Sequence, residues 1–131
     1  MKKTTLLYVM AASFSWTANA QFWDYSEPVK LKGTINSVES EESIPVFSKD
    51  SSTLYFVRTF NKANKGDAND QDIWKSTKQD DGSYSASERI KSLNNKFNNA
   101  VVGLSRDGSS MYLLNAYDGK KDQTKGISFS K

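Results

Sequence analysis

A chain of 131 residues holds at most one domain, and with no cysteine it has no disulfide, no thiolate metal site and no lipid-modified cysteine. Histidine is also absent, which removes the usual general base and metal ligand, and no Gly-x-Ser-x-Gly elbow is present, so most hydrolase templates fail. The formal charge of +3 belongs mostly to the first twenty residues, which carry two lysines and no acid; the rest holds 16 basic against 15 acidic side chains, too even a balance to warrant a nucleic-acid partner.

Residues 1–20 read as an export signal. Lys2 and Lys3 form a positive start, Leu6 to Ala12 an apolar stretch too short to span a bilayer, and Ala18-Asn19-Ala20 a small-x-small cleavage site. Cleavage would leave Gln21 as the mature N-terminus, with no transmembrane segment and a periplasmic or outer-membrane-associated location. Gln21-Phe22-Trp23-Asp24 is expected to dock as a short tail.

The mature chain predicts β-structure throughout. In the segment 28–35, Pro28 and Gly33 restrict the regular part to Val29-Lys30-Leu31, a short outer strand. Ile44, Val46 and Phe47 then form a first apolar run and Leu54-Tyr55-Phe56-Val57 a second, joined by a turn from Ser48 to Thr53 whose Asp and Ser side chains bond nearby backbone groups. A polar loop over residues 61–71 leads to a third strand, Asp72 to Thr77. After an Asp-Gly turn at residues 79–83, a fourth follows at Tyr84 to Ile90. Residues 94–99 cross to Ala100–Leu104, Met111–Ala116 and Gly126–Phe129, which repeat the first three strands.

The repetition is explicit. Ser105-Arg106-Asp107-Gly108-Ser109 repeats Ser48-Lys49-Asp50-Ser51-Ser52 at an offset of 57 residues, Tyr84 to Lys91 repeats Tyr25 to Lys32 at 59, Leu93-Asn94 repeats Ile35-Asn36 at 58, and Ile127 repeats Ile73 at 54. Drifting offsets mean insertions and deletions in the loops. A strand-only repeat of this length points to a propeller-type array, and runs such as Leu54–Val57 that do not alternate apolar with polar predict strands buried on both faces.

The motifs that carry this repeat resemble the WD40-like β-propeller repeat of exported, envelope-associated proteins of Bacteroidetes-type bacteria. They are Asn36-Ser37, Pro45 to Asp50, Leu54 to Thr59, Gln71-Asp72-Ile73-Trp74, Leu93-Asn94-Asn95, Asn98 to Gly103 and Tyr112 to Tyr117. The resemblance implies a non-enzymatic protein-interaction scaffold whose partners are envelope proteins. It implies peptidoglycan contact only through a C-terminal OmpA-type domain that this chain does not contain. The expected fold is all-β: about two four-stranded antiparallel blades of an incomplete propeller, over about 36–92 and 93–131, the second stopping at its third strand, preceded by the lone outer strand near 28–35.

Closure of a propeller takes roughly four blades. A truncated reading frame would account for the shortfall; otherwise chains join head to tail, the strand near Val29 completing the second blade of the next molecule, or the chain stands as an open two-blade solenoid with sheet faces and edges in water. The competing class is a carbohydrate-binding or accessory propeller fragment of an exported hydrolase.

Candidate binding residues are few. Arg58 and Trp74 could face a ligand, the indole stacking and the guanidinium meeting a carboxylate. The structural alternative has Trp74 packing between blades and Arg58 pairing with an acid such as Asp72. Asp50 and Asp107 resemble the Asp-box turns of sialidase-like propellers, where the turn is structural. The loop from Asp67 to Asp72 alternates oxygen ligands but lacks the glycine and closing glutamate of a calcium loop, and the asparagines at 94–99 read as turn caps. No catalytic residue, metal or cofactor is expected.

Overall fold

The apolar runs pair with their sequence neighbours because the turns between them are short and specifically bonded. The computed structural model describes residues 25–118 and 125–131; the expected signal peptide and the tail at Gln21–Asp24 lie outside them. Every regular element among the described residues is a β-strand. These are β1 (Glu41–Phe47), β2 (Thr53–Thr59), β3 (Asp72–Thr77), β4 (Glu88–Arg89), β5 (Val101–Leu104), β6 (Met111–Leu114) and β7 (Ile127–Ser130). They make two antiparallel sheets in simple meander order, β1-β2-β3-β4 and β5-β6-β7.

The two sheets are geometric copies. Val46 pairs with Tyr55 and Phe47 with Leu54 in the first, Gly103 with Tyr112 and Leu104 with Met111 in the second, and each first strand carries a bulge just before those pairs. Ile73 opposes Val57 as Ile127 opposes Leu114.

The turns match bond for bond. Ser48 Oγ donates to Asp50 Oδ1 at 2.6 Å, and Ser105 Oγ to Asp107 Oδ1 at 2.6 Å. The Ser52 and Ser109 N–H groups each donate to that same oxygen at 3.1 Å. Ser51 and Gly108 occupy the left-handed region at φ 58° and 78°. The two turns sit side by side over one shallow cleft lined by Ser48, Lys49, Asp50, Asp107 and Gly108.

The first sheet is buried on both faces, which explains why its second strand does not alternate. One face holds Leu54, Phe56 and Trp74, packed with Ile35 and Tyr84. On the other, Ile73 joins Val101 and Leu113 of the second sheet, flanked by Val46, Tyr55, Leu93, Leu104, Met111 and Tyr117. Full burial of a side chain the size of Ile73 stabilises by about 1.5–3 kcal/mol, so the cluster it makes with Val101 and Leu113 holds the second sheet to the first.

Three expected elements differ. No strand forms at Val29–Leu31 or elsewhere in 28–35: Pro28 has no N–H, and no strand lies alongside to pair with. The expected fourth strand over Tyr84–Ile90 shrinks to β4 plus an isolated Lys78–Tyr84 bridge. Serines explain it, since the Ser87 N–H and Oγ turn away to bond Thr34, at 3.0 Å to its Oγ1 and 3.1 Å to its carbonyl. The strand expected over Met111–Ala116 stops at Leu114, because Asn115 takes φ 83° and its amide donates to the Asn98 carbonyl.

Candidate functional site

Arg58 ends the buried run of β2. Its guanidinium stacks over the rings of Phe56 and Trp74, 5.3 and 4.7 Å from their centroids. Nε donates to Glu42 Oε1 at 3.1 Å, while Nη2 donates to the Thr34 carbonyl at 2.6 Å, the Ile35 carbonyl at 3.2 Å and Ser87 Oγ at 3.3 Å. Glu42 in turn accepts from Ser37 Oγ at 2.7 Å. This one buried cation therefore fastens the 34–37 segment and the 87 region to the first sheet.

Arg58 and Asp72 are direct cross-strand partners in the β2–β3 register. They do not form the ion pair expected between them. The guanidinium turns toward Glu42 and two backbone carbonyls, a fuller set of acceptors than a single carboxylate offers. Asp72 instead accepts from the Lys65 N–H at 2.8 Å and lies 3.4 Å from the Arg89 guanidinium, which also reaches the Ala63 carbonyl. Its other oxygen, Oδ1, is buried with no hydrogen-bond partner, and burial pushes the carboxyl above its ordinary value against the opposing pull of Lys65 and Arg89.

Trp74 is also taken into the fold. Its indole N–H donates to Asn64 Oδ1 at 3.3 Å, and the Asn64 amide donates to the carbonyls of Arg58 and Asp70 at 2.9 and 2.7 Å. The structure thus brings Arg58, Trp74 and Asp72 onto one face of the sheet, with Arg58 and Asp72 in separate ion pairs and all three buried. In the loop from Asp67 to Asp72, Asp67 Oδ1 accepts from Asn69 N–H at 2.7 Å and Asp70 Oδ2 from Asp67 N–H at 3.1 Å, local turn bonds.

The asparagines at 94–99 do more than cap turns. Asn94 Oδ1 accepts from the Ile73 N–H at 2.7 Å and its amide donates to the Ile73 carbonyl at 2.9 Å, so one side chain stands in for a length of strand. Asn99 N–H donates to the Gln71 carbonyl at 2.6 Å, and Asn98 Oδ1 accepts from the Gln71 N–H at 3.1 Å. Tyr117 closes this joint, donating to the Leu93 carbonyl at 2.6 Å, and burial pushes its phenol up to about 12.

No protein-family model, curated protein or solved structure matches the chain.

Apolar surface open to a partner among the described residues includes two features. An apolar cleft of about 170 Å³ opens between Leu31, Ile35, Pro45, Leu54 and Phe56. On the far side of the molecule the outer face of the second sheet leaves Tyr112, Ile127 and Phe129 exposed. Neither feature stood out in the sequence as a site, because both depend on which sheet face the packing leaves open. Glu42, the true partner of Arg58, lies in a run of acids and serines from Glu39 to Ser43 that carries no individual signal.

Proposed function

We propose that this chain is a non-enzymatic, exported β-propeller repeat module, two blades of a larger wheel, that serves as a protein-interaction scaffold in a Gram-negative cell envelope. The single observation behind the reading is the shared geometry of the two sheets. They repeat turn, bulge and register, and they stack through a common core as successive blades would. Blades built this way offer stacked hairpin turns and sheet edges as binding surface. The arginine, tryptophan and aspartate of the first blade meanwhile hold its strands to the segments on either side. Such a division, rigid interior and broad exterior, suits docking of other proteins.

Fractionation of cells that make the protein natively, with a photo-crosslinking residue at Lys49 or Arg106 on the exposed turns, tests the reading. The expected result is a mature chain beginning at Gln21 in the envelope fraction, crosslinked to discrete envelope proteins. A chain retaining Met1 in the cytosol, or one crosslinked to nothing but itself, would count against it.

A further inference from the structure

The two ends of the repeat carry matching halves of one joint. In the first sheet β3 pairs with β4, Trp74 opposite Arg89 and Lys75 opposite Glu88, and the last two form an ion pair at 3.7 Å. The second sheet stops at β7, whose far edge meets no described strand. Its residues correspond to those of β3, Ser128 to Trp74 and Phe129 to Lys75, because Tyr112 opposes Phe129 as Tyr55 opposes Lys75. The segment that corresponds to β4 lies at the other end of the chain. By the offset of 59, Val29 stands for Glu88, Lys30 for Arg89 and Leu31 for Ile90.

The chemistry of the two positions changes together. Lys75 opposite Glu88 is a charge pair, whereas Phe129 and Val29 are both apolar, and they are 64% and 84% exposed. An exposed phenylalanine on a bare edge and an exposed valine on an unpaired segment are each unfavourable alone. Set opposite one another they form an ordinary cross-strand pair.

The linker repeats the same logic. Asn94 clasps both backbone groups of Ile73, and Leu93 packs into the joint between sheets. Their counterparts at an offset of 58 are Asn36, which is exposed, and Ile35, which covers the Leu54–Phe56 face. The counterpart of Ile73 is Ile127, 63% exposed. Within one chain the 25–36 segment lies on the side of the first sheet away from the second, since Ile35 packs on Leu54 and Phe56 while Ile73 faces Val101 and Leu113. Within one chain the segment and the edge it matches therefore lie on opposite sides of the first sheet.

We propose that residues 25–32 of one copy, reaching out from the anchored Thr34 and Ile35, add as a strand to the free edge of β7 in a second copy. Val29 pairs there with Phe129, and the Asn36 amide bonds the N–H and C=O of Ile127. The outer face of the second sheet, with Tyr112, Ile127 and Phe129, packs over the apolar cleft of that copy between Leu31, Ile35, Pro45, Leu54 and Phe56, as Tyr55 and Ile73 already pack with Met111 and Leu113 within one chain. Two copies joined twice in this way make a closed ring of four units. The proposal rests on the repeat-module reading above. The two fail separately, since self-assembly is read from mass in solution and scaffolding from crosslinks to other proteins.

Val29→Glu and Phe129→Lys test it. Each places a charge opposite an apolar residue, and the two together restore the Lys75–Glu88 chemistry across the joint. By sedimentation of the full mature chain, the wild type is expected at twice the monomer mass or more. Either variant alone should weaken association by at least about tenfold while keeping its circular dichroism, both sites being exposed. An equimolar mixture should assemble again, its joints alternating the introduced carboxylate–ammonium pair with the native Val29–Phe129 pair. A folded wild-type monomer at about 100 µM would overturn the proposal, leaving the edge to a different occupant. So would single variants that assemble like wild type, or a mixture that stays monomeric.

Discussion

Asn94 holds the peptide of Ile73 by both hands, its side-chain oxygen 2.7 Å from the N–H and its amide nitrogen 2.9 Å from the carbonyl, at the seam between the two sheets. Asn94 is 4% exposed and Ile73 fully buried. Asn94→Ala leaves a buried N–H without its acceptor. The Ile73 carbonyl keeps only the Ile90 N–H at 3.0 Å. A loss of about 2 kcal/mol is expected. Asn94→Asp keeps the acceptor but sets a carboxylate against a carbonyl, so it should not rescue. Urea midpoints of the three proteins check this, and an aspartate variant as stable as wild type would contradict the geometry.

Arg58 should be the most sensitive position in the first sheet. Arg58→Ala removes three hydrogen bonds to the 34–35 and 87 regions and leaves Glu42 without its cation, a change expected to cost about 3–5 kcal/mol. Arg58→Lys keeps the charge but loses the fork that serves Glu42 and the Thr34 carbonyl together, and should recover less than half of that. The double variant Arg58→Met with Glu42→Gln removes both charges and should be milder than Arg58→Ala. Chemical denaturation of the set, read as a double-mutant cycle, measures the coupling directly.

The strands were legible where their own residues decide them. Leu54–Val57 and Met111–Leu114 are rich in β-formers, and the Ser-x-Asp turns beside them close through bonds between residues two to five apart, so no distant partner is needed. The repeat offsets then located β3 and β7 as well. What sequence could not give was anything settled at a distance. The partner of Arg58 is Glu42 rather than Asp72, because the guanidinium follows the carbonyls of Thr34 and Ile35, two groups without side-chain identity. Ser87 bonds Thr34, 53 residues away, and that bond breaks the fourth strand. Val29–Leu31 has strand-forming residues but no described strand beside it to pair with, and a strand exists only as one of a pair.

Acid should expose two opposing groups of carboxylates. Asp50 and Asp107 are each held down to about 2 from an ordinary 3.8, chiefly by the hydroxyls of Ser48 and Ser105 and then by bonds from Ser52 and Ser109. With the folded value depressed, their contribution is complete above the ordinary value and is lost as pH falls through about 2. Asp72 runs the other way. Burial raises its folded value, so the stability gained by its protonation is present at low pH and disappears as pH rises through that raised value. Asp50→Asn and Asp107→Asn should each flatten the fall of melting temperature on acidification. Asp72→Asn should steepen it, because the compensating uptake of a proton is gone. Melting curves from neutral pH down to about 2 separate the three.

Ser51 and Gly108 offer the most direct check that the two turns are one structure. Both take the left-handed backbone, φ 58° and 78°, at the same place after the turn aspartate. A β-carbon at Gly108 would sit 3.7 Å from the Lys49 β-carbon, an ordinary contact, so space does not forbid a side chain there. Only the backbone objects, and for an L residue that objection is roughly 1 kcal/mol, less the entropy a glycine loses on folding. Ser51→Gly should therefore stabilise by about 0.5 kcal/mol, and Gly108→Ser should destabilise by a similar amount. Gly108→Val should lose more, since a branched side chain fits the left-handed region poorly. If equivalence holds, the double exchange Ser51→Gly with Gly108→Ser leaves the urea midpoint where it began. Two substitutions moving the midpoint in the same direction would mean that the turns, despite their matching bonds, are under different strain.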